Sequence, residues 1–163
     1  MRGKTLRQGN DNGSILVDTE IFLEDMCQLV KEGRTVVIPV SGGSMSPFMI
    51  SERDCISLRK PIQKDLKKGK IALFRRTSGQ FVLHRICSVK SGEYYFAGDA
   101  QYEIEGPIRR DQIEAVEDKV MRKGKWIARF SPEALFFRYI WIRIIFARKY
   151  VVKAYRGIKK IVR

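Results

Sequence analysis

Between Thr35 and Phe130 the chain is cut into short apolar runs by glycine turns, a pattern that leaves room for little besides antiparallel strands. TVVIPV (35–40) is brief and β-branched. DCISLRK (54–60), KIALFRR (70–76), QFVLHRICSV (80–89), EYYFAG (93–98), IEAVEDKVM (113–121) and KWIARF (125–130) follow, several of them parted by Lys-Gly or Ser-Gly pairs. In DCISLRK, Ile56 and Leu58 alternate with Cys55, Ser57 and Arg59, the period of a pleated strand. The pattern predicts a mainly β fold, an antiparallel, coiled or barrel-like sheet.

Helices are expected at both ends of this unit. From Thr19 to Glu32, Ile21, Phe22, Met26, Leu29 and Val30 recur at helical spacing, and Gly33 supplies a stop. No second helix follows a short turn, which argues against a helix-turn-helix DNA reader. Ser131-Pro132-Glu133 reads as a second helix start, with serine as N-cap and proline at the first helical position. That helix is predicted to run to the end of the chain. Three regions result: a polar lead and amphipathic helix (1–34), a β domain (35–130) and a basic helix (131–163).

Charge is unevenly placed. The net is +14, yet Lys119–Arg163 holds nearly all of the excess, with Glu133 as its single acid. Residues 135–147, LFFRYIWIRIIFA, are apolar almost all round but shorter than the roughly 20 residues a spanning helix needs, and Arg138 and Arg143 interrupt them. Farther on, Val151, Ala154, Tyr155, Ile158, Ile161 and Val162 share one helical face while Lys149, Lys153, Arg156, Lys160 and Arg163 line the other. This composition predicts a segment lying on an anionic membrane surface, with Tyr139 and Trp141 at headgroup depth, rather than a nucleic-acid binder. The alternative is a helix packed on the β domain. The polar start of the chain, MRGKTLRQGNDNGS, has no apolar core of a secretory signal, so the membrane's cytoplasmic face is the expected location.

Cys27, Cys55 and Cys87 are odd in number and widely spaced, and with a single histidine they make no convincing zinc site. Buried thiols in a reducing compartment are expected, and no metal or other cofactor.

The stretch SGGSMSPF (41–48) is not an ordinary turn. Gly42 and Gly43 permit close backbone approach, Pro47 stiffens the exit, and Met45 can anchor the bend in apolar surroundings, leaving Ser44 exposed. A nucleophilic serine needs such exposure, a base, and donors for an oxyanion. The sole imidazole, His84, lies in FVLHRI, where alternation puts Val82, His84 and Ile86 on one face. It suits a general base near neutral pH, or a satisfied core histidine. Asp99 follows Gly98 at a strand end, where it could orient an imidazole or cap a turn.

In order, GGSMSP, GKIALF, LHRI and AGDA resemble the type I signal peptidase superfamily of serine peptidases over residues 35–121. Histidine before Arg85, where bacterial relatives carry lysine, resembles the Ser-His subtype. The resemblance implies Ser44 as nucleophile, His84 as base, Asp99 as a third member, and a preference for small side chains before the cut. It also implies oxyanion donors at the Ser44 amide and two residues earlier. That earlier position is Gly42 here, so a backbone amide near Gly42 and Gly43 or the Ser41 hydroxyl must substitute for a side-chain donor. Lys70 departs from the usual Gly-Asp and is expected to alter a turn only. The second acid of many Ser-His relatives has no clean match, Glu103 and Glu105 being nearest. The implied activity is endopeptidase cleavage of a leader or signal segment at a membrane. A peptidase-like module without activity, using its basic tail for binding, is the competing expectation.

Overall fold

A computed structural model describes residues 19–148 and Tyr150, except for the side chain of Phe146. Among these residues are helix α1 (Thr19–Lys31), strands β1 (Val36–Pro39), β2 (Cys55–Arg59), β3 (Ile71–Arg75), β4 (Phe81–Lys90), β5 (Glu93–Ala97), β6 (Glu105–Ile108), β7 (Ile113–Arg122) and β8 (Lys125–Trp126), and the short helix α2 (Pro132–Leu135). Strand pairing is antiparallel throughout, in the order β1-β2-β7-β3-β4-β5-β6, with β8 attached to β7. The expected antiparallel, coiled β architecture is present, but β1 and β6 do not pair and the sheet stays open.

Alternation explains the two main cores. Along β3, Ile71 and Leu73 point into one cluster with Met45, Phe48, Ile56 and Leu58, while Ala72 and Phe74 point into another with Val82, Ile86 and Phe96. A central strand buried on both faces reads as a continuous apolar run, as IALF does. Register shifts at Ser57/Leu58, Leu73/Phe74, Ile86/Ser88 and Tyr94/Phe96 bend the strands and let one sheet serve both clusters. Strand β6 escaped the sequence reading because EGPI offers neither alternation nor β-branched enrichment.

Helix α1 buries Cys27 and Val30 and packs Phe22, Leu23, Met26 and Leu29 against the first core. Ile21, expected on the buried face, is 58% exposed. At the far end Gly33 N–H donates to Val30 O and Arg34 N–H to Leu29 O, the paired bonds of a Schellman cap.

After β8, Ser131 Oγ accepts from Ala134 N–H at 3.2 Å, the expected N-cap. The continuous helix does not follow. A π turn over Phe136–Ile140 and 3₁₀ turns over Trp141–Arg143 and Ile145–Ala147 break it, because one side is fixed to the sheet. Arg138 Nη2 donates to Glu117 Oε1 at 2.9 Å; Glu117 Oε2 takes the Ile71 amide, and Lys70 Nζ donates to the Glu117 carbonyl. Lys70 therefore does more than alter a turn. Trp141 is 3% exposed, not at headgroup depth: its ring packs on Phe137 and its Nε1–H donates to Asp99 O at 2.9 Å. Tyr139 is more than half exposed. Lys149 and the amphipathic half expected over 151–163, like the polar lead through residue 18, lie outside the described residues. Among the described residues no helix is long and apolar enough to cross a membrane.

Candidate functional site

The Ser44 bend starts where β1 ends. Val40 N–H donates to Asp54 O and Glu52 N–H returns to Val40 O, holding the strand end against the loop that leads to β2. Gly42 then adopts φ +75°, a conformation that disfavours any side chain, and open space surrounds both Gly42 and Gly43. Ser46 N–H donates to Gly43 O and Met49 N–H to Met45 O, winding the chain into a turn. Met45, Phe48 and Met49 are buried beneath it. The outcome is an exposed Ser41–Gly43 shoulder with Ser44 half-buried behind it. Among the described residues the amides of Gly43 and Ser44 donate to no protein acceptor, which leaves them available to an incoming oxygen.

His84 arrives from β4, opposite Ala72 of β3. Its ring meets Phe74 edge-on with centroids 6.3 Å apart. Both Ser44 and His84 line one cleft of about 260 Å³, although they are far apart in the chain. Ile38, Pro39 and Val40 of β1 and its exit form part of its wall, as do Leu73, Phe81, Val82 and Leu83 of β3 and β4. Phe22 and Leu23 of α1 also contribute. Ser41 and Met45 line it too, as expected of the bend.

The electrostatics differ from a preassembled triad. His84 Nδ1 is buried without a hydrogen-bond partner, and no hydrogen bond joins Ser44 to the ring. Burial pushes the imidazole pKa down to about 4; Glu105 and Asp99 favour its charged form through space, while Arg76 opposes it. At neutral pH the ring is therefore unprotonated and able to accept a proton.

Asp99 stands elsewhere than the resemblance implies. Its two carboxylate oxygens accept from Arg85 Nε at 2.9 Å and Nη2 at 2.7 Å, in a pair buried from solvent. Arg85 alternates to the opposite side of β4 from His84, so a carboxylate committed to that guanidinium does not reach the imidazole. Glu105, on β6, is the first-ranking source of the field that favours charged His84. It is held by Arg76, whose Nε and Nη2 donate to it at 2.5 and 2.6 Å. Glu103 is exposed.

Arg76, Gln80 and Gln101 add polar groups to those of Thr19, Ser41, Ser44 and His84 in the cleft, and were missed in the sequence. Arg76 Nη1 also donates to Gln80 Oε1, linking the two ends of the β3–β4 turn. The β3–β4 pairing was the available signal for the two wall residues, since it returns Gln80 opposite Arg76. Gln101 had none, because its position depends on the fold of the Gly98–Gln101 turn. The cysteines are all free: Cys27 and Cys87 are buried and Cys55 is half-buried. Burial pushes the thiols of Cys27 and Cys87 up to about 12 and about 11, the values of inert core thiols.

Comparison with protein-family models, curated proteins and solved structures finds no match to this chain.

Proposed function

We propose that this chain is a serine endopeptidase of the signal peptidase-like type, cutting a leader or signal segment of a peptide or precursor protein at a membrane. The observation that carries this reading is that Ser44 and the only histidine line a single cleft, with the buried Nδ1 unpartnered. A core histidine that served packing alone would ordinarily have its buried nitrogen satisfied.

The substrate would lie extended along β1, which among the described residues pairs only with β2, on the edge that β2 does not occupy. Ser44 Oγ attacks the scissile carbonyl carbon while the neutral imidazole takes its proton. Gly43 and Ser44 amides face the developing oxyanion, with the Ser41 hydroxyl beside them. Collapse breaks the C–N bond, and the imidazolium returns the proton to the leaving amine. Water then attacks the ester carbonyl, giving a proton to His84; that proton passes to Ser44 Oγ as the acid product departs. Among the described residues no carboxylate is bonded to the ring, so Glu105 and Asp99 stabilise the imidazolium through space. A cleft of this volume, walled by Leu73, Phe81, Val82 and Leu83, suits small apolar side chains before the cut.

Attachment to an anionic membrane rests on the outer face of the last described segment. There Phe136, Tyr139, Ile140 and Ile144 are exposed beside Arg143, in the part of the chain that holds most of the positive charge. The competing reading, a peptidase-like module without activity that binds through this tail, is favoured by the missing Ser44–His84 hydrogen bond. Incubating synthetic leader-bearing peptides with vesicles and protein, then sequencing the products, separates the two. New termini with wild type but not with Ser44→Ala support the peptidase; none with either supports the binder.

A further inference from the structure

We propose that Trp141 and Arg148 are positioning residues for the bend that carries Ser44, acting through the Gly98–Gln101 turn. The proposal rests on the reading of Ser44 as nucleophile.

The turn and the bend meet without slack. Ala100 N–H donates to Ser44 O at 2.8 Å, and a Cβ at Gly98 would stand 2.5 Å from that oxygen. Behind the turn, every backbone carbonyl except that of Ala100 is held by the C-terminal segment or by the turn itself. Trp141 Nε1–H donates to Asp99 O at 2.9 Å; Arg148 Nη1 donates to Gly98 O at 3.0 Å and more weakly to Gln101 O at 3.4 Å. Arg148 Nε and Nη2 donate to Trp141 O at 3.0 and 2.9 Å, and its guanidinium lies 5.5 Å from the centre of the Trp141 ring. The two side chains thus form one unit, 3% and 1% exposed respectively.

Among the described residues the hydrogen bonds of the buried Arg148 cation all go to carbonyls and none to a carboxylate. Desolvating a guanidinium for carbonyls alone is a poor route to stability, because apolar side chains would fill the same space at lower cost. What carbonyl partners do provide is a fixed backbone. Carbonyls at 98, 99 and 101 locked from behind leave the amide at 100 aimed at the Ser44 carbonyl, which fixes the bend on which an attacking hydroxyl depends.

Two readouts on the full chain test this in Trp141→Phe, which keeps a ring but loses the donor, and in Arg148→Ala. The first is amide hydrogen exchange at Ala100, with the amides of β3 as an internal reference; the second is the rate at which a fluorophosphonate phosphonylates Ser44, the hydroxyl oxygen displacing fluoride from phosphorus. Expected are about tenfold faster exchange at Ala100 with β3 unchanged, and phosphonylation slowed at least about tenfold at an unchanged half-saturating probe concentration. Unchanged exchange at Ala100, or equal acceleration in β3, would overturn the proposal, since the segment would then be inert or a general brace. Faster local exchange with phosphonylation at the wild-type rate would overturn it as well. Local exchange changes in a protein whose wild type is never phosphonylated would support the hold on the bend and remove Ser44's role as nucleophile.

Discussion

Ala100 and Ser44 are joined by a single backbone hydrogen bond of 2.8 Å, through which the turn after β5 holds the bend after β1. The adjoining Gly98 makes this contact sensitive to one methyl group. In Gly98→Ala the new Cβ would meet Ser44 O at 2.5 Å and its carbonyl carbon at 3.1 Å, both backbone atoms, so the bend itself must shift. A shift on the order of 1 Å at a reacting group costs about a hundredfold in rate. Phosphonylation of Ser44 by a fluorophosphonate in Gly98→Ala is expected to fall by about one to two orders of magnitude, read by stopped labelling and intact mass. A wild-type rate would separate the turn from the site.

Asp99 is expected to matter for stability through Arg85 rather than for orientation of His84. Asp99→Asn leaves the Arg85 guanidinium buried without its counter-charge and with one of its two bonds to residue 99 lost, and breaking a buried pair from one side costs about 3–5 kcal/mol. Urea unfolding at pH 7 should show a loss of that size. The acid limb of the pH–rate profile should move little in any variant molecules that remain folded, because Asp99 acts on His84 only through space; a large shift of that limb toward lower pH would give Asp99 a direct hold on the imidazole.

His84 predicts a pH signature with a definite sign. Its folded pKa is pushed down to about 4, whereas the unfolded chain's imidazole titrates near about 6.5. Between those values the unfolded chain holds a proton that the folded one lacks. The stability attached to the neutral ring is therefore fully present above about 6.5 and is lost as pH falls toward about 4, on the order of 3 kcal/mol in all. Wild type should lose this amount relative to His84→Gln between pH 7 and pH 4, measured by denaturant unfolding. For the same reason the acid limb of kcat/KM should fall near pH 4 instead of near 6.5. A parallel pH dependence of the two proteins would show that the imidazole titrates normally.

The outer face of the C-terminal segment carries a fourth prediction. Ile140 is 54% exposed and neighbours Tyr139, Arg143 and Ile144. Replacing it with serine removes apolar area worth about 1–2 kcal/mol at an interface, so partitioning onto anionic vesicles should weaken about tenfold while the melting temperature holds. Vesicle flotation that is unchanged by Ile140→Ser and by deletion of 132–163 would remove the membrane from the account.

Much of this fold was legible because β strands announce themselves by period two and helix ends by their caps. The IALF run, the Gly33 stop and the Ser131-Pro132 start all form as read. Pairing order was not legible, since β7 comes to lie between β2 and β3 only through long-range contacts. The C-terminal segment misled for a related reason. Trp141 and Arg138 look like interfacial residues on an isolated helix, and only the sheet supplies the Asp99 carbonyl and Glu117 carboxylate that make their burial affordable. At the site, Ser44, His84 and the glycine-lined bend could be named from residue type. Asp99's commitment to Arg85 and the walls contributed by Arg76 and Gln101 depend on which face of a strand or turn each residue occupies after folding.

The central claim is that Ser44 is a nucleophile activated by His84, and locating the adduct of a fluorophosphonate by peptide mass mapping at pH 7 tests it most directly. The account predicts modification of Ser44 in wild type and at least a hundredfold slower modification of Ser44 in His84→Ala. An adduct confined to Ser41 or Ser46, or Ser44 modified equally fast in both proteins, would contradict it.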